Sequence, residues 1–139
     1  MESRFRVAVR AFVRDGNKIL LVREQDLTKR KPIENWETPG GGILDKETLE
    51  EALKREVMEE TGYEIEIGKL LSAQIKYFQD FQAVHLIYGA KLLRKVGEPD
   101  KDILGARWVT KEEISKALKK KEFDWHDEEV FNLFVKDEL

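Results

Sequence analysis

The stretch from Glu47 to Gly62 constrains this chain more than any other. Placed on a helix at 100° per residue, Leu49, Ala52 and Leu53 make an apolar stripe, and the stripe runs on toward the C-terminus into Glu56 and Glu60. Glu59 stands beside them, three residues after Glu56, while Glu50, Glu51 and Lys54 take the opposite, solvated side. A fold that buries this helix must therefore take carboxylates inward together with the apolar residues. An unpaired buried carboxylate costs several kcal/mol, and two carboxylates about 4 Å apart repel by roughly 4 kcal/mol at an effective dielectric near 20. A bound divalent cation relieves both penalties. All-oxygen ligation with no Cys or His nearby in sequence favours a hard ion, Mg2+ or Mn2+, over zinc. The plain alternative, a solvated face laced with ion pairs, does not explain why the carboxylates continue an apolar stripe.

At 139 residues and 41% hydrophobic content, the chain supports one domain over 1–139 and not two. Its 25 basic and 28 acidic residues are interspersed and leave a net charge of −3, so no nucleic-acid or membrane partner is expected. With no cysteine, disulfides, thiolate metal sites and cysteine nucleophiles are excluded. The first residues lack an apolar leader and no run of 18 apolar residues occurs, which points to a cytoplasmic location.

Along the chain, Phe5 to Val13 alternates with period two and Lys18 to Arg23 forms a short apolar run, a hairpin turned by Asp15-Gly16-Asn17. Polar residues from Glu24 to Asn35 read as a loop, and Gly40 to Gly42 as a tight backbone path. A helix over Glu47 to Thr61 ends at Gly62, a residue suited to a left-handed C-cap. Strands follow at Tyr63 to Ile67, Leu70 to Phe78 and Ala83 to Leu93, with a short one at Trp108-Val109. Thr110 and Glu113 have capping-box spacing for a helix through about Leu118, and Asp127 to Val135 forms a last amphipathic segment. This order gives a mixed sheet with helices on its faces.

Gly41, then five residues, Glu47, then seven residues, and Arg55-Glu56-Val57-Met58-Glu59-Glu60-Thr61-Gly62-Tyr63 resemble the Nudix box, G-x5-E-x7-R-E-U-x-E-E-x-G-U with U aliphatic. Every fixed position matches over the 23 residues. Tyr63 departs at the final aliphatic position, and Lys46 stands where many members carry glycine. The flanking Trp36-Glu37-Thr38-Pro39-Gly40 and Arg107-Trp108-Val109 are also similar to the family.

The resemblance implies a Nudix-type α/β/α sandwich with a central mixed sheet, and a hydrolase that cleaves the pyrophosphate bond of a nucleoside diphosphate linked to another moiety. It implies that Glu56, Glu59 and Glu60 hold the metal with the carbonyl of Gly40, and that Arg55 and Glu47 orient the glutamates. A late-loop acid joins in some members; here Asp102 is the first candidate, ahead of Glu98 and Asp100. The general base stays open among Glu56, Glu59 and such an acid. Tyr77, Phe78 and His85 are candidate substrate contacts, although an aromatic or histidine in a strand is more often packed in a core. His126 reads as a flank of the last helix, Trp36 and Trp108 as packing, and Lys29, Arg30 and Lys31 as a solvated charge run within reach of phosphates.

Features that the family associates with ADP-ribose or diadenosine polyphosphates are absent, since no proline lies between Gly62 and Pro99 and position 80 is Asp80. Nucleoside triphosphates, oxidised ones among them, and dinucleoside polyphosphates stay open. A catalytically silent nucleotide sensor on the same fold is the competing reading, against which all box glutamates are present. The isoprenoid isomerase branch relies on a cysteine and is excluded. Relatives that pair as homodimers make a second copy of this chain a candidate partner.

Overall fold

The computed structural model describes residues 4–26, 31–32 and 36–139; Lys29 and Arg30 lie outside these residues, and the side chain of Lys31 is also outside the description. The elements run β1 (Arg4–Asp15), β2 (Lys18–Asp26), β3 (Lys31–Pro32), β4 (Gly40–Gly42), α1 (Leu49–Thr61), β5 (Tyr63–Tyr77), β6 (Phe81–Lys95), β7 (Ile103–Thr110), α2 (Lys111–Lys119) and α3 (Trp125–Val135).

β1 organises the sheet, whose order is β3-β2-β1-β6-β5 with β4 added on β1 and β7 on β2. It runs parallel to β6 over ten pairs, from Arg4↔Phe81 to Val13↔Ala90. The remaining pairings are antiparallel, so the sheet is mixed as expected. On its other edge β1 changes partner along its length. Arg14 and Asp15 pair with β2, whereas Ala8, Val9 and Arg10 pair with Gly42, Gly41 and Gly40. That switch of partner delivers the glycine segment to the middle of the molecule.

Period-two alternation in β1 divides the core into two layers. Val9, Ala11 and Val13 face Ala52, Leu53 and Val57 of α1. Phe12 faces the opposite way, into Ile114 of α2 and Val130, Phe131 and Phe134 of α3. A helix layer on each face of one sheet is the α/β/α sandwich that the sequence implies.

Several local boundaries differ from the sequence reading. α1 begins at Leu49 with Thr48 as N-cap, its hydroxyl accepting from Glu51 N, so Glu47 lies in the preceding loop. Leu49 is exposed and Val57 replaces it in the buried stripe. The two strands read at 63–67 and 70–78 are one strand, β5, which absorbs the Gly68 region through register shifts between Ile67 and Leu70 and between Leu70 and Ser72. β7 extends back to Ile103, and α3 starts two residues early, at Trp125. Gly62 ends α1 in the left-handed region at φ 77°, and Thr110 with Glu113 forms the full capping box, both as expected. Among the described residues no helix is long and apolar enough to cross a membrane.

Candidate active site

Two charged regions meet at the glycine strand. The first is the carboxyl end of α1. Gly40 adopts φ 152°, and a Cβ there would stand 2.1 Å from the Val9 carbonyl oxygen, so only glycine fits against β1. Its amide donates to both carboxylate oxygens of the buried Glu60, at 3.2 and 3.3 Å. At Gly41 a Cβ would lie 2.8 Å from the carboxylate of Glu56, so the missing side chain is what lets that carboxylate rest against the strand.

Arg55 ties the remaining acids together. Its Nε and Nη2 donate to the two oxygens of Glu47 at 2.6 and 3.0 Å, a bidentate pair. Its Nη1 donates to Glu56 at 3.1 Å and to Glu59 at 3.3 Å, and Nη2 also reaches the Gly42 carbonyl at 3.1 Å. The Glu47 hydrogen bond, offset in part by burial and reinforced by Glu56 and Glu59, holds the guanidinium above its ordinary range. The Glu47 carboxyl is pulled below its ordinary value by Arg55 and by the Leu44 amide, which donates to it at 2.7 Å. Lys46, the departure from the box, takes the left-handed conformation at φ 66° that a glycine would take without strain.

The loop after β6 is anchored to the same helix end. The amides of Val96 and Gly97 donate to the Gly62 carbonyl, and the amide of Asp100 donates to the Glu59 carbonyl at 2.8 Å. Asp102, half-buried, follows two residues later. The late acids are thus carried on a loop fastened to the helix that bears the three glutamates.

The second region is a buried polar network beneath a cleft of about 430 Å³, whose walls include Gly41, Gly42, Phe78, Phe81, His85 and Trp125. Phe78 stacks on Phe81 with centroids 4.6 Å apart, and Trp125 meets His85 edge-on. Two of the three expected substrate contacts, Phe78 and His85, therefore line the cleft. Tyr77 is 70% exposed and is not among its lining residues, because strand alternation turns it away from its neighbour Phe78.

Sequence reasoning missed the residues under this cleft. Asp127, fully buried, accepts from the Thr38 amide at 3.0 Å and from the Thr38 hydroxyl at 2.6 Å. Burial raises its pKa, but His126, Arg10 and Thr38 outweigh burial and leave it below the ordinary value. Arg10 donates to the Thr38 carbonyl at 2.5 Å and to His85 Nδ1 at 3.2 Å. His126 is buried rather than a mere flank of α3. Its Nδ1 lies 3.1 Å from Asp127 yet is too poorly aligned to form a hydrogen bond. Among the described residues, Glu37, Asp124 and His126 are the trio of acidic and histidine side chains whose ligand atoms all lie within 4.8 Å of one another. Glu56, Glu59 and Glu60 are spread more widely, with Arg55 against the first two. The only local sign of the second network was the likeness of Trp36 to Gly40 to a family flank; its other members are far apart in sequence.

The chain matches the family model described as NUDIX domain over residues 4–134. It is 35% identical over 85 residues to a Bacillus subtilis (strain 168) protein provisionally named an 8-oxo-dGTP diphosphatase, covering 60% of this chain and 56% of that one. It is 30% identical over 114 residues to an 8-oxo-dGDP phosphatase of Homo sapiens, covering 81% of this chain and 34% of that one. The chain thus spans less than two thirds of the length of these curated relatives. A crystal structure of a MutT protein from Methanosarcina mazei Go1 superposes with a TM-score of 0.77 at 21% identity, covering 99% of this chain and 97% of the other.

Proposed function

The chain belongs to the NUDIX domain family, and from that premise we propose that it is a metal-dependent pyrophosphohydrolase acting on a nucleoside triphosphate, with oxidised purine nucleotides as the leading class. The observation that carries this reading is the position of Gly41 and Gly42. Both wall the cleft, Gly41 lies against the Glu56 carboxylate and the Gly42 carbonyl accepts from Arg55, so a nucleotide with its base between the aromatic residues would extend its phosphates along the glycine strand toward Glu56 and Glu60. The two curated relatives named for 8-oxo-dGTP and 8-oxo-dGDP support the purine class.

The donor set fits a hard divalent cation: three glutamates, a backbone carbonyl and no sulfur. Glu56, Glu59 and Glu60 with the Gly40 carbonyl would hold Mg2+ or Mn2+, and Asp102 is the late-loop candidate for a further ligand. The ion supplies charge neutralisation for the diphosphate and activation of the attacking water. The protein's own groups do the rest. The Gly40 amide fixes one face of Glu60, and Arg55, itself gripped by Glu47, holds Glu56 and Glu59 in register. Water attacks phosphorus, the bridging P–O bond breaks, and the water proton passes to a carboxylate, Glu56, Glu59 or a late-loop acid such as Asp102. Two phosphorylated fragments leave.

Phosphate-product release across nucleoside triphosphates, 8-oxo-dGTP, ADP-ribose and diadenosine polyphosphates, with and without Mg2+, tests the assignment. Mg2+-dependent turnover of nucleoside triphosphates is expected, with a loss of at least about 100-fold in Glu60→Gln. Turnover that survives in the folded variant would overturn the metal assignment, and turnover of another class alone would overturn the substrate.

A further inference from the structure

We propose that Arg10 locks His85 into its neutral, Nε2-protonated tautomer, so that the cleft offers the nucleotide ring a hydrogen-bond donor that does not vary with pH. The inference rests on the reading that the cleft holds a base, and adds which atom of the protein addresses it and what keeps that atom protonated.

The argument starts from the chemistry of the pair. A guanidinium has only donors and keeps its proton at any pH the fold survives. Arg10 Nε lies 3.2 Å from His85 Nδ1 in hydrogen-bond geometry, so Nδ1 must be the acceptor and carry no proton. The single imidazole proton is then on Nε2. Protonating Nδ1 would remove the bond and set a second cation against Arg10.

Arg10 cannot step aside to allow this. It is 7% exposed, its Nη1 is bound to the Thr38 carbonyl, and its Nη2 lies 3.7 Å from Glu37. The ring of His85 is equally constrained. It lies parallel to His126 with centroids 4.4 Å apart and an interplanar angle of 4°, and Trp125 abuts it edge-on at 4.8 Å. The charged groups around the pair oppose a second proton on balance. Burial, Arg10 and His126 disfavour it, while Asp127 favours it but is already occupied by Thr38; the net result holds His85 down at about 3. Glu37 and Asp124 lie against His126 at 3.6 and 3.7 Å, and Glu37 also lies 3.7 Å from Arg10. Nε2, on the ring edge away from Arg10, takes no protein partner among the described residues, and His85 lines the cleft.

A donor fixed in this way favours a ring that presents an acceptor at that point, such as a carbonyl oxygen or an imine nitrogen, over one presenting an N–H. Arg10 is then a positioning residue, and His85 is the group that touches the ligand.

The chain has two histidines, so one variant, His85→Gln, assigns both in long-range 15N–1H spectra. In the wild type, His85 should show a protonated Nε2 and an unprotonated Nδ1, unchanged between about pH 5.5 and 8. Arg10→Met should release it to titrate toward the ordinary histidine range. A proton on Nδ1 in the wild type, or titration of His85 within that window, would overturn the lock even if Arg10→Met failed to fold. Binding of GMP, measured calorimetrically without metal, tests recognition separately. His85→Phe keeps the ring but lacks the donor and should weaken binding by roughly tenfold, whereas His85→Gln, which can offer an amide N–H, should stay within about threefold. Equal binding by the wild type and His85→Phe would overturn the donor's role. Absence of GMP binding by the wild type would instead overturn the placement of a base in the cleft, and the ligand-free spectra distinguish that failure from failure of the lock.

Discussion

The carboxylate end of α1 and the network beneath the cleft are both dense in charge, but water reaches one far more readily than the other. Side chains of Arg55 and Glu59 are 24% and 41% exposed, whereas those of Arg10, Glu37 and His126 are 6–8% exposed and Asp127 is sealed. The difference matches what each region must do. Glu59, in contact with solvent, can shift between Arg55 and an ion at small cost, whereas Glu56 and the buried Glu60 rest against the glycine strand. Groups that shape a binding cleft have to stay fixed, and the buried bonds of Arg10 to Thr38 and His85 and of Thr38 to Asp127 hold them in one arrangement.

Removing a member of the sealed network should therefore have the largest effect, on stability. Asp127→Ala leaves the Thr38 amide and hydroxyl without their acceptor and removes the anion beside His126 Nδ1. A loss of about 3 to 5 kcal/mol is expected in urea unfolding; a loss below about 1 kcal/mol would show that the network is not the lock between residues 37–38 and α3. The opposite signature is expected at the solvated region. Gly41→Ala brings a Cβ within 2.8 Å of the Glu56 carboxylate, the far end of a flexible side chain, so the fold yields there cheaply while the carboxylate is displaced. Stability should change by less than about 1 kcal/mol, and kcat/KM should fall by up to about 100-fold, the scale expected for a misplaced group at a reacting centre. A variant that loses several kcal/mol of stability but keeps its kcat/KM would reverse the contrast.

The same contrast explains what was legible in the sequence. The α1 cluster is local: Arg55 reaches Glu47, Glu56, Glu59 and the Gly42 carbonyl, all within thirteen residues, so spacing on one helix and its leading loop displays it. The buried network joins Thr38 to Asp127 across 89 positions and Arg10 to His85 across 75. Only the parallel register of β1 with β6 and the packing of α3 bring those residues together, and neither can be read from periodicity. The strand boundary missed inside β5 has a related cause. A glycine that would end an isolated strand is tolerated because β6 pairs past it with a shifted register.

A milder perturbation is pH. His85 has a folded pKa near 3 against an ordinary value of 6.5, so the unfolded chain binds the extra proton between those limits. Its contribution to stability is complete above about pH 6.5 and is lost as pH falls toward 3. Asp127 also has a lowered pKa, but its contribution is lost only below its ordinary 3.8. The melting temperature should therefore decline gently from pH 6.5 to 4 and more steeply below, and His85→Gln should flatten the first phase while leaving the second. A wild-type profile flat down to pH 4 would contradict a neutral His85 in the fold.

The smallest effect expected is at Lys46, where the comparison can be sharpened within the solvated region itself. A residue with a Cβ in the left-handed region is strained by roughly 1 to 2 kcal/mol, and glycine removes that strain but loses about 0.5 to 1 kcal/mol more backbone entropy on folding. Lys46→Gly should thus stabilise the protein by about 0.5 kcal/mol, or about 2 °C in Tm. Because Lys46 lies beside Glu47, whose carboxylate grips Arg55, the substitution also asks whether the strain is needed to hold that grip. Unchanged kcat/KM with the small gain in Tm would show that the loop keeps its path for the sake of Glu47 and bears the lysine as a tolerated departure. A fall in kcat/KM alongside the gain would show that the stiff left-handed residue positions Glu47, and would make the solvated region depend on fixed geometry as the buried one does.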